Sequence, residues 1–194
     1  MNVPRSLTSR TVVMLCCVLI ALAADVAGAA APQPSAAGGA DTAAMVASIR
    51  RHYQAINGQQ AGYRKIQADL SGYSEEGGEL TGYYDGVKIR KIVARFFGET
   101  GQLLEEYYFA ADTLVFMYSD QQEYTEPLPA SKGKVKSSRQ NRYYFTAGRL
   151  LQWLDETKRP VPSSDPRFAE AQKRILTDAA DYQERLAATG TPNQ

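Results

Sequence analysis

This chain is poor in cysteine and histidine, the residues on which many metal and nucleophilic sites depend. Its two cysteines, Cys16 and Cys17, lie together in an apolar segment near the N-terminus, and His52 is the single histidine of 194 residues. Removing that segment leaves no thiol, which excludes disulfides, a cysteine nucleophile and thiolate ligands. Since one histidine alone forms neither a His-rich metal site nor a Ser-His relay, we predict no metal and no cofactor. We expect His52 to make a structural contact at a helix flank or between helix and sheet.

The apolar segment itself is short. It covers residues 11–24, about 14 residues, whereas a helix that spans a bilayer needs roughly 20. Arg5 and Arg10 precede it and Ala27-Gly28-Ala29 follows it, which is the order of a secretory signal and its cleavage site. We therefore predict a signal peptide over residues 1–29, a periplasmic or secreted location, and no integral membrane span after cleavage.

An excess of charge of one sign is also missing. Without residues 1–29 the acidic and basic side chains balance, which argues against nucleic acid as a partner. The charges are nevertheless unevenly distributed. Residues 75–126 contain eleven acidic and four basic side chains, whereas residues 127–174 contain eleven basic and four acidic ones. These two segments either pair inside the fold, present opposite fields to a partner, or are solvated independently.

Apolar periodicity predicts one helix at each end of a single domain over residues 41–190. A flexible lead-in rich in Ala, Pro, Gly and Ser is predicted for residues 30–40, and a disordered tail for residues 191–194. The first helix is expected from about residue 42 to 57, and the second from Asp165-Pro166 to Gly190. The apolar stripes are Met45, Val46, Ile49, Tyr53 and Ile56 in the first helix, and Phe168, Ala171, Ile175, Leu176, Ala179, Tyr182 and Leu186 in the second.

Between these helices, residues 63–155 alternate short runs of Tyr, Phe, Val and Ile with turn residues, which is typical of an antiparallel meander. Asp85-Gly86 is the strongest hairpin signal, Ala111-Asp112 and Ala147-Gly148 are further turns, and a longer loop is expected over residues 125–138. The predicted fold class is α+β: an antiparallel meander sheet of about seven strands, packed by an N-terminal and a C-terminal helix.

Several phrases within residues 45–156 are similar to those of a group of small exported bacterial proteins that is itself uncharacterised. They are Glu76 to Gly86, Gly98 to Gly101, Glu106 to Phe109, Asn141 to Phe145 and Leu150 to Asp155. The tyrosine-tyrosine-turn-leucine phrases more loosely resemble the hairpin repeats of MORN-type modules. The resemblance implies a bacterial envelope or secreted protein and transfers no catalytic residue.

Tyrosine is concentrated in the predicted sheet, where ten of the twelve tyrosines lie between Tyr63 and Tyr144. Neighbouring residues of a strand point to opposite faces, so if helices cover one face, one ring of each double-tyrosine pair lies on the open one. Such rings favour contact with a peptide or a sugar. We therefore predict a binding module that recognises an unknown protein or envelope polymer through a tyrosine-bearing sheet face. The candidate binding residues are Tyr83, Tyr84, Tyr107, Tyr108, Tyr143, Tyr144 and Trp153.

The alternative is a carboxylate-dependent hydrolase acting on envelope glycan. Glu105 and Glu106 are the candidate acid and base, but as strand neighbours they point to opposite faces. Each would need a second carboxylate about 5 to 9 Å away across the sugar, supplied by Glu79, Asp85 or Glu123. A passive folding-assistance role in the envelope is a third hypothesis.

Overall fold

Seven strands and two long helices form the described part of the chain, which in this computed structural model comprises residues 36–74 and 76–190. All seven strands belong to one antiparallel sheet in the order β1-β2-β3-β4-β5-β6-β7. The elements are α1 (Ala36–Gln59), β1 (Arg64–Asp69), β2 (Gly78–Asp85), β3 (Lys88–Gly98), β4 (Gly101–Ala110), β5 (Thr113–Tyr124), β6 (Val135–Thr146), β7 (Arg149–Leu154) and α2 (Pro166–Gly190). The predicted α+β meander is therefore confirmed.

Tight turns connect the strands where the sequence predicts them. Ala111 and Asp112 join β4 to β5 with φ of 46° and 64°, and Ala147 and Gly148 join β6 to β7 with φ of 46° and 74°. Positive φ at both residues of a two-residue loop matches the right-handed twist of the flanking strands. Gly86, with φ of 61°, begins the corresponding turn between β2 and β3.

The two helices pack on opposite faces of the sheet. On one side, which we call the α2 face, Ile175, Tyr182 and Leu186 of α2 join a core that includes Ile92, Tyr107, Met117 and Tyr143. On the other, the α1 face, Val46, Ile49 and Ile56 of α1 join a core that includes Tyr108, Phe116, Tyr144 and Leu154. Helices therefore cover part of both faces, so the condition under which one ring of each double-tyrosine pair would lie on an open face is not met.

Some boundaries differ from the sequence-based expectations. α1 begins at Ala36, inside the predicted lead-in, and continues to Gln59 past Asn57-Gly58. Alanine favours a helix in this first segment, but Gly38 and Gly39 disfavour it, so local propensity does not predict the early start. β6 begins at Val135, inside the predicted loop, because β5 offers its backbone groups as partners over that whole length. The predicted signal peptide, residues 30–35 of the lead-in and the tail lie outside the described residues. Neither described helix is long and apolar enough to cross a membrane.

α2 begins where the sequence predicts. The carboxylate of Asp165 accepts a hydrogen bond from the backbone N–H of Arg167 at 2.9 Å, as an N-cap residue does. Hydrogen bonds from the Arg167 side chain and backbone hold the pKa of Asp165 below its usual value. This cap fixes the start of the helix that covers the α2 face.

The close approach of α2 to β2 depends on Gly82. A Cβ atom at this position would lie 2.8 Å from Leu186 Cδ1 and 2.8 Å from Tyr84 Cε2. Since Leu186 is completely buried, we expect Gly82→Ala to lower the free energy of unfolding by about 1–3 kcal/mol, the usual cost of overpacking. Urea denaturation measures this loss.

The matched control is Gly58→Ala in α1, where an added Cβ meets nothing within 4 Å. Alanine favours a helix over glycine by up to about 1 kcal/mol, so this variant should be at least as stable as the parent. A Gly82→Ala protein with parental stability would show that α2 does not lie this close to β2.

Candidate functional site

The paired tyrosines of β4 and β6 are buried. Relative exposure is 0% for Tyr107, 1% for Tyr108, 5% for Tyr143 and 2% for Tyr144. The expectation that one ring of each pair lies on an open face is therefore wrong for these pairs. The physical reason is that α1 covers the face of Tyr108 and Tyr144 while α2 covers the face of Tyr107 and Tyr143.

The three remaining candidate rings are half-buried and lie apart from one another. Tyr83 lies on β2 on the side opposite Tyr84, whose ring packs against the α2-face core. Trp153 lies on β7, at the other edge of the sheet, where its Nε1 donates a hydrogen bond to Asn141 Oδ1 at 2.9 Å and its ring centroid is 5.3 Å from that of Tyr143. The structure does not bring these residues together into one site.

Glu105 and Glu106 accept hydrogen bonds from the buried tyrosines. On the α2 face the Tyr107 hydroxyl donates to Glu105 Oε2 at 2.7 Å, and on the α1 face the Tyr108 hydroxyl donates to Glu106 Oε2 at 2.6 Å. Each donor and acceptor are two residues apart, and side chains two apart in a strand share a face. The prediction that the two carboxylates point to opposite faces is thus confirmed.

A cation neutralises each of these carboxylates. Arg174 of α2 lies 3.1 Å from Glu105, and Lys91 of β3 lies 2.8 Å from Glu106. Burial raises the pKa of Glu105, an effect that Arg174 and the Tyr107 hydroxyl oppose. Burial, together with Glu106, also raises the pKa of Tyr108. Glu105 therefore holds α2 on the sheet through Arg174. Glu106 acts within the sheet, where its partners Lys91 and Tyr108 in turn bond Asn57 of α1.

The structure does not join either carboxylate to the acids proposed as its catalytic partner. The cavity that Glu106 lines contains no second carboxylate among the described residues. Glu79 and Glu123 line two other surface cavities, and Asp85 is paired with Arg90 at 2.8 Å. None of the three predicted acids therefore forms the two-carboxylate geometry of a glycosidase with Glu105 or Glu106. The carboxylate that does lie near Glu105 is Asp178, and both are paired with the same Arg174 nitrogen, at 3.1 and 3.0 Å.

A small cleft opens where the C-terminal half of α1 lies on the sheet; we call it the α1 cleft. Its volume is about 210 Å³. Its lining residues are Tyr53, Asn57, Glu106, Tyr108, Phe116, Tyr118 and Arg142. Tyr53 of α1 stacks on Phe116 with ring centroids 4.8 Å apart, which fixes one wall of the cleft.

Tyr118 is the tyrosine that the sheet contributes to the open part of this cleft, since Tyr108 is buried and Tyr53 belongs to α1. It is half-buried, and the guanidinium of Arg142 lies 5.5 Å from its ring centroid, within cation–π range. Sequence reasoning favoured double tyrosines and missed this single one. The signal was its position two residues after Phe116, which places both rings on the α1 face.

Beyond the cleft, a continuous chain of hydrogen-bonded polar side chains crosses β4, β5 and β6; we call it the polar ladder. Its members are Gln102, Gln122, Asp120, Ser138 and Gln140. The donor–acceptor distances are 2.7 Å from Gln102 to Gln122, 2.9 Å from Gln122 to Asp120, 2.6 Å from Ser138 to Asp120 and 3.4 Å from Gln140 to Ser138. Arg142 Nη2 then donates to Gln140 at 3.1 Å, so the ladder reaches the α1 cleft.

The polar ladder lies on the part of the α1 face that α1 does not cover. The strand register places Gln102 opposite Gln122 and Asp120 opposite Gln140. These pairs lie farther along the strands than Tyr108 and Phe116, which belong to the core beneath α1. Gln102, Gln122 and Gln140 are half-buried and Ser138 is exposed, whereas Asp120, which links Gln122 to Ser138, is only 6% exposed. The ladder and the cleft therefore form one continuous surface.

The single histidine makes the structural contact predicted for it. His52 Nε2 donates a hydrogen bond to the backbone carbonyl of Phe109 at 3.1 Å. This bond ties α1 to the end of β4, so His52 serves helix–sheet packing.

Oppositely charged segments meet within the fold. Lys136 lies 3.2 Å from Glu123, and Arg174 lies 3.1 Å from Glu105. Both pairs join the acidic segment 75–126 to the basic segment 127–174. Internal pairing therefore accounts for part of the uneven charge distribution.

The raised pKa of Glu105 gives a pH-dependent prediction. As pH rises past about 4.3, the ordinary pKa of glutamate, the unfolded state loses its proton before folded Glu105 does, so this group lowers the free energy of unfolding. Glu105→Gln cannot ionise, and its single side-chain oxygen can still accept from Arg174 while its NH2 group donates to the Tyr107 hydroxyl. Relative to the parent, we expect this variant to gain stability between pH 4 and pH 7, as measured by urea denaturation.

Glu123→Gln is the matched control with the opposite sign. Hydrogen bonds from Lys136 and Ser137 lower the pKa of Glu123. Its ionisation therefore stabilises the folded state above about pH 4.3, and this stabilisation is lost as the pH falls. Relative to the parent, this variant should lose stability between pH 4 and pH 7. The same trend for both variants would contradict the burial of a charged Glu105.

The chain matches no protein-family model, no curated protein and no solved structure. The resemblance to small exported bacterial proteins with tyrosine-rich hairpins therefore stays a prediction.

Proposed function

We propose that this chain is an exported binding module that recognises a protein or envelope polymer through the α1 cleft and the polar ladder. The observation that carries the proposal is the position of Tyr118, an accessible ring at the junction of an aromatic cleft and an uninterrupted row of polar side chains. Export rests on the predicted signal peptide. The proposed recognition face still carries a tyrosine. It is Tyr118, and not the double tyrosines of β4 and β6, which are buried.

The chemistry of this surface suits an extended polar ligand. Aromatic rings with a polar tip are favoured in binding surfaces, and the amides of Gln102, Gln122 and Gln140 each offer both donors and acceptors. Peptide groups and sugar hydroxyls carry the same combination. Because hydrogen bonds within the ladder already order these side chains, less conformational entropy is lost on binding.

The size of the cleft also favours a ligand that lies across the surface. Pockets that enclose small molecules usually have volumes of roughly 300 to 1,000 Å³, whereas the α1 cleft has about 210 Å³. A single residue or sugar ring fits such a cleft while the rest of the ligand follows the ladder. The alternative, a carboxylate-dependent hydrolase, stays a prediction. The contacts of Glu105 and Glu106 with tyrosines and cations do not favour it.

Site-specific photo-crosslinking tests the proposal. A photoreactive amino acid at position 122 lies on the α1 face within the ladder, whereas position 121 is its strand neighbour on the opposite face. In cells that export the full chain, we expect adducts from position 122 to exceed those from position 121 at least fivefold. Gel shift and mass spectrometry identify the adducts as protein or polymer.

Tyr118→Ala supplies the second arm of this experiment. The substitution should abolish the adducts at position 122 because it removes the ring that anchors the ligand. Thermal melting verifies that the variant remains folded. Equal adducts at positions 121 and 122, or adducts that persist in folded Tyr118→Ala protein, would refute recognition through this surface.

A further inference from the structure

A second cavity lies beside the α1 cleft and is lined by basic and apolar side chains; we call it the basic cavity. Its volume is about 380 Å³. Its lining residues are Arg50, Tyr53, Arg142, Tyr144, Leu154 and Lys158. Three of the six are cationic and none is acidic, so the lining carries a concentrated positive charge.

Arg142 is the central group of this cavity. Its Nη1 is buried without a hydrogen-bond partner, which is true of no other buried side-chain nitrogen or oxygen among the described residues. Its Nη2 donates to the neutral amide of Gln140, and Arg142 forms no ion pair within the described chain. Nearly all buried polar groups have a partner, and a buried charge without one is costly. An anionic ligand would supply the acceptor that Nη1 lacks.

Arg50 stands on the α1 side of the cavity. Its Nε donates to the Tyr144 hydroxyl at 3.2 Å, and its guanidinium carbon lies 5.5 Å from the centre of the Tyr144 ring. These contacts orient the side chain without neutralising it, because tyrosine is uncharged. The cation therefore remains available to an anion in the cavity.

Lys158 stands on the loop that follows β7. Asp155 of the same loop accepts hydrogen bonds from the backbone N–H groups of Thr157 and Arg159 at 2.8 and 3.0 Å, and another from the Thr157 hydroxyl. These bonds, led by that of the Thr157 hydroxyl, lower the pKa of Asp155 and commit its carboxylate to the loop. No ion pair of Lys158 is present in the described part of the chain.

The neighbouring acidic group is also committed elsewhere. Glu106 lines the adjoining α1 cleft, but it is paired with Lys91 at 2.8 Å and accepts a hydrogen bond from Tyr108. Its charge is thus offset on the far side of the cleft. Asp120 lies farther along the sheet and reaches Arg142 only through Ser138 and Gln140. Among the described residues, no carboxylate pairs directly with Arg50, Arg142 or Lys158, so an anionic ligand would meet three unpaired cations.

We propose that the basic cavity binds a small phosphate monoester, with the phosphate between Arg142, Arg50 and Lys158 and the organic part against Tyr53 and Leu154. A phosphate monoester carries close to two negative charges at neutral pH and matches the planar donors of arginine, whereas a carboxylate carries one. The cavity volume admits an anionic group and a small ring. This site goes beyond the proposed function: it shares Tyr53 and Arg142 with the α1 cleft, but its ligand is a small anion and it does not require a polymer or protein on the ladder.

Titration of the full chain with three matched probes tests the proposal. The probes are phenyl phosphate, benzoate and phenol at equal ionic strength, and isothermal calorimetry gives their affinities. We expect phenyl phosphate to bind at least about fivefold more tightly than benzoate, and phenol not to bind, since the double charge strengthens the charge-assisted hydrogen bonds. Absence of phenyl phosphate binding, or equal affinity for benzoate, would overturn the proposal.

Variants assign the binding to the cavity. Arg142→Gln should weaken phenyl phosphate binding by about tenfold or more, as expected for loss of a hydrogen bond to a charged group. Arg139→Gln is the control, because Arg139 is an exposed arginine of the same strand on the opposite face and should leave the affinity unchanged. Undiminished binding by Arg142→Gln, or equal loss in Arg139→Gln, would contradict the assignment.

Lys158→Gln gives a test that does not depend on the half-buried arginine. Lys158 is exposed, so its replacement leaves the core intact and should weaken binding of phenyl phosphate at least about threefold, as loss of one charge contact predicts. Thermal melting provides a second readout, since the ligand should raise the Tm of the parent more than that of either variant. Parental affinity in Lys158→Gln protein would remove Lys158 from the site.

Discussion

The alternation of side chains along an antiparallel strand is the constraint on which this structure depends. Tyr107 and Tyr108 are neighbours in the central strand β4, so their large rings must point to opposite faces, and both are almost completely buried. One covering layer cannot bury both rings. The chain supplies two, with α2 over Tyr107 and α1 over Tyr108, and the sheet becomes the middle layer of the domain.

Buried tyrosines bring hydroxyl groups into the interior, where a donor without a partner is costly. Glu105 and Glu106 meet this need by accepting from Tyr107 and Tyr108 on their respective faces. A carboxylate inside the fold in turn requires a cation, which Arg174 provides on one side and Lys91 on the other. The consecutive sequence Glu-Glu-Tyr-Tyr thus encodes two polar networks. Arg142 differs, because its buried Nη1 has no hydrogen-bond partner among the residues that the structure describes.

Local patterns were sufficient to predict the elements of the fold. Strand alternation, turn residues such as Ala147-Gly148 and the cap at Asp165 act over a few residues, and all appear where expected. Which face each helix covers depends on packing between residues that are far apart in sequence, and a pattern of a few residues does not predict it. For this reason the burial of Tyr108 and Tyr144 beneath α1, and the cleft that brings Tyr53, Tyr118 and Arg142 together, could not be predicted from the sequence.

Chemical nitration of the folded protein, followed by mass spectrometry of its peptides, tests this arrangement most directly, because the reagent modifies accessible tyrosine rings. The account predicts early nitration of Tyr73, which is 43% exposed, and of Tyr118, while Tyr107, Tyr108, Tyr143 and Tyr144 react only after unfolding. Nitration of Tyr108 or Tyr144 in the folded protein at the rate of Tyr73 would contradict the claim that both faces of the sheet are covered.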